Sequence, residues 1–465
     1  MSKYEPVSAE VVAALQTALG AEYVKTDAET LEKYKTDEET DPRYHHLPEV
    51  VVWPGSTEEV AAVMKIANRY NVPVTPRSAG TSVSCGAIPV YGGIVLLLER
   101  MDKIEELNTE GMYMVVEAGA RTVEIQEKAN AAGFLYAGDP CSADSCLIGG
   151  NIATNAGGNK AVRYGTTRDQ VYAIEAVTPT GDIVNVGARL KKKSTGYCLE
   201  QLIMGSEGTL GIITKATLKL LPLCPYKLDL LAIFTDLDKA VGLVPNLIKA
   251  GLNPTSVEFM DNAFVRSSSD YCELKLPHYE DGSYVIVTVE TFNEDELESK
   301  MEQLDEICSA SGATDVLEAD DRVWKLRRNC LESTRVLSLV STSDDLVVPV
   351  DQIANCIRHL TKVAENYSFK LFTLAHAGDG NLHFQILKGE MSDEQWEDEV
   401  SRFHAEAYPY VYSLGGRLSG EHGIGAKKVE AMEKYTEPVE MKMMKEIKRA
   451  LDPKNILNPG KVFNA

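Results

Sequence analysis

Two histidines bracket a sharp turn in AHAGDGNLHF, residues 375–384: His376 and His383, with Gly378, Asp379, Gly380 and Asn381 between them. Only eight histidines occur in 465 residues, so two at one turn concentrate ligating nitrogen. On one straight strand, residues an odd number apart face opposite ways. Folded back across a turn, they can converge on one point. Gly-Asp-Gly-Asn is turn chemistry, because glycine tolerates positive φ and Asp and Asn bond their own backbone. The flanks KLFTLAH and LHFQIL read as strands. Two imidazoles call for a third ligand, and SGEHGIG offers the carboxylate of Glu421, with His422 beside it. Two His and one carboxylate suit Zn²⁺, Fe²⁺ or Mn²⁺ and leave positions open for a substrate. Asp379 is either a rival ligand or the residue that shapes the turn. The plainer alternative for the pair is two hydrogen-bonded turn histidines.

The chain that must position these residues is long enough for roughly three domain-sized units and a large core. Its composition is that of a globular protein, 44% hydrophobic and 25% charged, with net charge −22. Such a surface repels phosphates and argues against nucleic acid as a partner. No apolar run follows MSKYEP, so no signal peptide is expected, and no stretch reaches the roughly 18 apolar residues of a membrane span. Nine scattered cysteines without C-x-x-C argue against an iron–sulfur cluster or a disulfide framework and predict a cytoplasmic protein.

Along the chain, SAEVVAALQTALG reads as a helix capped by Ser8 and stopped by Gly20. The segment from VVVWPGSTEEV to VPVTPR reads as a βαβ unit. Ser56 and Glu59 start its helix as a capping box, and Val60, Val63, Met64 and Ala67 form its apolar face. Residues 137–168, rich in Gly, Asn, Ala, Ser and Thr, read as a long irregular loop of the kind that usually carries function. A hairpin is expected at TGD (180–182), a boundary at LPLCP (221–225), an α+β region over 226–360, and a last helix between Pro438 and Pro453. PRSAGTS, GGNKA and GSEGTLG match neither G-x-G-x-x-G nor a Walker A loop. Each alone reads as a plain turn; together they suggest an extended cradle for a pyrophosphate-bearing cofactor.

In order, the chain carries PRSAGTS, GDPCSADSCLIGGNIATNAGGNKAVRYGTTRD, TGDIVNVG, GSEGTLGIIT, HAGDGNLH, SGEHGIG and LDPKNILNPGKVF. This set closely resembles the FAD-linked 2-hydroxyacid dehydrogenases of the vanillyl-alcohol-oxidase superfamily, over about residues 45–463. That group includes D-lactate dehydrogenases, glycolate oxidase FAD subunits and D-2-hydroxyglutarate dehydrogenases. The resemblance implies an α+β fold: an N-terminal helical segment (1–45), a two-subdomain FAD-binding domain (46–222), a substrate domain with the metal hairpin (223–420), and a C-terminal segment returning to the flavin (421–465). It implies that Arg77, Ser78, Gly80, Thr81 and Ser82 wrap the pyrophosphate of FAD. Pro140, Ser142, Gly149, Asn151, Thr154, Asn155 and Gly158 would line the rest of the channel. Glu207, Gly208 and Ile213 would lie beside adenosine or isoalloxazine, and Asn458 would return to the flavin. No His occurs between 47 and 277, which excludes a histidyl link in these loops. Noncovalent FAD is expected, with Cys85 and Cys141 the only candidates for a thioether.

By the same resemblance, His376, His383 and Glu421 hold the metal and a 2-hydroxyacid chelates it. His422 takes the hydroxyl proton, hydride passes from C2 to flavin N5, and Asn381 holds the substrate carboxylate or steadies the loop. VWKLRR resembles the family's W-x-x-R segment, so Arg327 is the expected carboxylate clamp, with Arg328 its confusable neighbour. Members that oxidise D-2-hydroxyglutarate carry a lysine before D-L-x-x-P. Here the segment is TSDDLVVP, with Thr342 or Ser343 in that place and Asp344 and Asp345 expected to discourage a distal carboxylate. D-lactate is the expected substrate, glycolate the next, D-2-hydroxyglutarate the alternative. A non-catalytic electron-relay subunit and an oxidase using O₂ directly are the competing classes. The expected electron acceptor is a protein, an electron-transferring flavoprotein, with iron–sulfur subunits as the alternative; self-association into a homo-oligomer stays open.

Overall fold

Local sequence signals account for the first elements of this computed structural model, which describes residues 3–39 and 41–465. Ser8 accepts from the Val11 N–H and starts the helix Ala9–Leu19, which Gly20 ends. Ser56 likewise accepts from the Glu59 N–H at the start of the helix Thr57–Tyr70. The Glu59 carboxylate returns to the Gly55 N–H, one residue before the cap, at 2.6 Å. That helix buries Val60, Val63, Met64 and Ala67 and links the strands Val50–Val52 and Val74–Arg77 in a βαβ unit around the strand Ile94–Leu97.

The chain divides into two units, one of residues up to Gly157, Gly165–Leu223 and Glu421–Ala465, the other of Gly158–Tyr164 and Cys224–Gly420. The first holds two larger sheets, each with its own core, and a two-stranded one pairing Phe134–Leu135 with Leu221–Pro222. A four-stranded mixed sheet packs Val50, Val52, Ile94 and Leu96 against the helices Ala9–Leu19 and Thr57–Tyr70. A five-stranded antiparallel sheet packs Met114, Val116, Ile174 and Ala216 against the helices Thr122–Ala131 and Ile148–Thr154. Ile456 and Leu457 complete the first core, fully buried, and Leu457 pairs with Val74. The TGD hairpin joins Val171–Val177 to Ile183–Gly187 as the sequence suggests.

Residues 137–168 are less irregular than their composition suggests. They contain the helices Ile148–Thr154 and Ala161–Tyr164 and a 3-10 turn at Thr167–Gln170. Glycine lowers helix propensity, but here it answers a packing demand. A Cβ on Gly149 would stand 2.7 Å from Ala118 Cβ and 2.9 Å from Ala118 O.

The second unit is built on a seven-stranded antiparallel sheet whose two central strands nearest one edge are Lys370–His376 and Asn381–Leu387. They form the expected hairpin, with His376 opposite Asn381 and Leu374 opposite His383. Ser256–Met260 pairs with the first of them and Ser341–Val347 with the second. The register sets Glu258 beside His376 and Asp345 beside His383. Alternation along each strand then puts all four, with Asn381, on one sheet face. The apolar part of that face, Met260, Phe372 and Leu374, packs with Phe264, Leu326 and Cys330 of the helices Asn262–Cys272, Asp321–Arg328 and Cys330–Leu337.

Candidate functional site

The His376 and His383 rings lie 5.2 Å apart, perpendicular, and both side chains are buried. A carboxylate stands behind each ring. Glu258 Oε1 is 2.8 Å from His376 Nδ1, and Asp345 Oδ1 is 3.9 Å from His383 Nδ1. Glu258 is itself fully buried and receives Arg327 Nε at 3.0 Å and Nη2 at 2.6 Å on its other oxygen. Burial alone would raise the Glu258 carboxyl; His376 and Arg327, both bonded to it, outweigh that and hold it below the ordinary glutamate range.

Arg327, the expected substrate clamp, gives its Nε and Nη2 to Glu258. Asn381 donates Nδ2 to Asp345 at 2.6 Å and to the Leu346 carbonyl at 3.2 Å, so it steadies the turn. Its Oδ1, buried and without a partner among the described residues, is an acceptor and does not suit a carboxylate. Asp344 and Asp345 are not an open acidic wall. Asp344 accepts from His404 Nε2 at 2.8 Å and Tyr408 OH at 2.9 Å. Asp345 accepts from Asn381, from Ser419 Oγ at 2.6 Å and from Gly420 N at 3.1 Å. Asp379 accepts from the Asn381 N–H and shapes the turn. Ser343 faces Gln385 across the strand pair.

Ser419 and Gly420, anchored on Asp345, are followed directly by Glu421 and His422, which belong to the first unit. There Glu421 Oε1 lies 3.8 Å from His422 Nε2, and a Cβ on Gly157 would meet Glu421 Oε2 at 2.6 Å. The His422 carbonyl accepts from Ser84 Oγ.

The expected cofactor residues of the first unit split into two groups. One group converges. Both Glu207 oxygens accept backbone N–H bonds at 2.7 Å, from Ile424 and Gly425, and Asn458 Nδ2 donates to the Glu207 carbonyl at 2.7 Å. Burial pushes the Glu207 carboxyl up, and those two N–H bonds offset part of the rise. Ser82 Oγ accepts from Ser84 N and Gly86 N beside this knot. Gly208 lies against Pro76, and a Cβ on Gly150 would stand 3.2 Å from Ser78 Oγ. The other group is turned to the frame. Arg77 donates to Thr36 O, its guanidinium lying against Gly80; Asn151 donates to Thr122; Thr154 donates to Gly150 O; Asn155 accepts from Thr166 and Arg168. Ile213 is a core residue of the five-stranded sheet, and Gly158 falls in the second unit. Thr81 follows Gly80, and Pro140 and Ser142 start the turn that precedes the helix Ile148–Thr154.

Sequence reasoning missed Glu258, an acid inside the apolar strand SVEFM, and Lys461, inside the tail motif. Lys461 is completely buried, donates to Ile88 O at 2.7 Å, and its ammonium is lowered by burial to about 8. Cys85 is buried, which pushes its thiol up, and Cys141 is exposed.

The residues present fit FAD. Asn458 Oδ1, Ser206 Oγ, Tyr136 OH and Arg77 Nε are buried in the first unit without a partner among the described residues. Such polar atoms need a partner, and a polar ligand supplies one. Buried histidines with carboxylates behind them likewise fit a divalent cation. No helix of the described residues is long and apolar enough to cross a membrane.

Residues 48–187 match the family model of an FAD binding domain, and residues 227–462 that of the FAD linked oxidases, C-terminal domain. The chain is 37% identical over 425 residues to the D-lactate dehydrogenase of Anaerostipes hadrus, covering 89% of each chain. It is 35% identical over 427 residues to the glycolate oxidase subunit GlcD of Bacillus subtilis, covering 91% of this chain and 90% of the relative. Among solved structures, p-cresol methylhydroxylase with substrate bound superposes with a TM-score of 0.82 at 18% identity, over 97% of this chain and 96% of that one. The α+β fold, with an FAD-binding part of two subdomains and a C-terminal oxidase part, is therefore that of the vanillyl-alcohol-oxidase type. The chain belongs to the FAD-linked oxidases, in the group of the D-lactate dehydrogenases and the GlcD subunits of glycolate oxidase.

Proposed function

We propose that this FAD-dependent oxidoreductase oxidises a short D-2-hydroxyacid, D-lactate to pyruvate first and glycolate second, at a divalent metal held by His376, His383 and Glu421. The observation that carries the reading is the buried, perpendicular His376–His383 pair with a carboxylate behind each ring. The names of the relatives, D-lactate dehydrogenase and glycolate oxidase subunit, supply the substrate class. When bound, FAD supplies a two-electron acceptor and the metal supplies Lewis acidity toward a hydroxyl.

The chain's own residues do the rest. Glu421, the proposed third ligand, directly follows in sequence the Ser419–Gly420 pair that Asp345 anchors. His422, next in sequence, takes the substrate hydroxyl proton on an imidazole nitrogen. Asn381 and Asp379 keep the turn between the two ligands in one shape. Ser343 offers no cation to a second carboxylate, which favours a monocarboxylate. Noncovalent FAD is supported by the burial of Cys85, which pushes its thiol up, and by the absence of histidine from residues 47–277, leaving exposed Cys141 as the remaining thioether candidate. An electron-transferring flavoprotein is the proposed acceptor, with iron–sulfur subunits as the other protein route.

The test is an anaerobic titration of the visible flavin spectrum with D-lactate, L-lactate, glycolate and D-2-hydroxyglutarate. Prompt bleaching by D-lactate is expected. Bleaching by D-2-hydroxyglutarate alone would overturn the reading of Ser343. Indifference to all four acids with Zn²⁺, Fe²⁺ or Mn²⁺ supplied would overturn the catalytic assignment.

A further inference from the structure

The network around Glu258 does something that neither the ligand set nor the family membership specifies. Glu258 is a carboxylate with no exposure at all, placed in the strand Ser256–Met260 directly opposite His376. An ionised carboxylate only accepts hydrogen bonds. One oxygen takes two N–H groups of Arg327, and the other meets His376 Nδ1 at 2.8 Å. With Arg327 neutralising it, Glu258 stays ionised in a site where a lone carboxylate would be too costly. A hydrogen bond to that carboxylate needs the proton on Nδ1, which turns Nε2, on the far side of the ring, into the ligating nitrogen. A histidine's ligating nitrogen is set by the bond its other nitrogen makes.

We propose that Glu258 is a positioning residue for metal binding: it fixes His376 in the Nδ1–H tautomer, so that Nε2 is the ligating atom, and Arg327 acts through it as the counter-charge. This rests on the reading of His376 as a metal ligand. It also gives Arg327 a function that its sequence context did not suggest. The chemistry is asymmetric within the pair. His383 Nδ1 stands 3.9 Å from Asp345, against 2.8 Å between His376 Nδ1 and Glu258, so of the two carboxylates Glu258 holds its ring the more closely. Glu258→Gln separates charge from shape. The glutamine can turn its amide N–H toward Nδ1, which stabilises the opposite tautomer and withdraws Nε2 from the metal.

The experiment has two parts, neither of which reads turnover. In the wild-type holoenzyme stripped of metal, ¹⁵N-histidine NMR, assigned with His376→Ala, reads the tautomer directly. The Nδ1–H form is expected, and an Nε2–H form would overturn the proposal. Then Zn²⁺ and Mn²⁺ affinities are measured by chelator competition for wild type, Glu258→Gln and His376→Ala, with flavin content and melting as folding controls. A folded Glu258→Gln protein should bind metal about 10–100-fold more weakly. Wild-type affinity in Glu258→Gln, with binding lost in His376→Ala, would overturn the tether and leave the ligand assignment standing. Wild-type affinity in His376→Ala would overturn both. If Glu258→Gln does not fold, the wild-type tautomer alone decides.

Discussion

Replacing Arg327 by methionine tests whether its guanidinium belongs to the protein or to the substrate. Methionine keeps an unbranched apolar stem but loses the guanidinium and its charge. Glu258, fully buried, is then left without the donors that now reach one of its oxygens at 3.0 and 2.6 Å. Removing one partner of a buried pair costs about 3–5 kcal/mol, because the remaining charge stays desolvated. For a unit of about 200 residues, at about 2–4 °C per kcal/mol, that corresponds to a melting shift of roughly 6–20 °C. Adding Glu258→Gln removes the stranded charge, so the double variant should recover about 2 kcal/mol of the loss, a coupling of the size that contacting residues show. The assay is thermal and denaturant unfolding of wild type, both single variants and the double variant, followed by far-UV circular dichroism. Arg327→Met melting within about 1 kcal/mol of wild type, with a raised KM for the hydroxyacid, would refute the structural role and return Arg327 to the substrate carboxylate.

Two further outcomes are expected. Gly380→Ala should destabilise the histidine turn by about 2–3 kcal/mol, combining a positive-φ penalty with loss of a backbone bond. The Gly380 φ is 87°, a Cβ there would stand 2.1 Å from Val348 O, and the Val348 N–H donates to Gly380 O. Metal affinity should fall with it while flavin content stays, read by chelator competition and absorbance. Lys461 titrates near 8 in the folded protein against 10.5 for an exposed lysine, so the unfolded chain binds the extra proton between those values and stability rises with pH across that window. Unfolding free energies of wild type relative to Lys461→Met should therefore climb by about 3 kcal/mol from pH 8 to 10.5; a flat difference would refute the lowering of Lys461 by burial.

What the sequence made legible were features with local causes. Ser8, Ser56 and Pro438 mark helix starts by chemistry that needs no tertiary context, and all three helices begin there. Gly-Asp-Gly-Asn likewise encodes its own turn, which is why the His376–His383 hairpin is legible in that short segment alone. Side-chain partners across the sheet are not, because strand order is not written in any one segment. Glu258 lies 118 residues from His376 and 69 from Arg327, and in SVEFM it looks like an ordinary strand acid. For the same reason Asp344 and Asp345 look like a repulsive pair in sequence, when their opposite strand faces send one to His404 and Tyr408 and the other to the histidine turn. The helix Ile148–Thr154 was hidden by Gly149 and Gly150, whose close neighbours, Ala118 and Ser78, are also nonlocal.

The interleaving of the two units has a consequence for how the protein is made. Most of the second unit is inserted between Leu223 and Glu421, and the first unit draws on both sides of it. Ile456 and Leu457 close the first core, Lys448 bonds Thr209 O and Leu457 O from within it, and Glu207 waits for the N–H groups of Ile424 and Gly425. On the ribosome, the core of the four-stranded sheet therefore stays incomplete until some 200 further residues have emerged, whereas that of the five-stranded sheet draws on nothing beyond Leu220. The inserted unit, contiguous apart from residues 158–164, can form its sheet first. During synthesis that one core thus closes only after the unit inserted into its chain has been made, and a nascent chain halted before residue 421 carries it open.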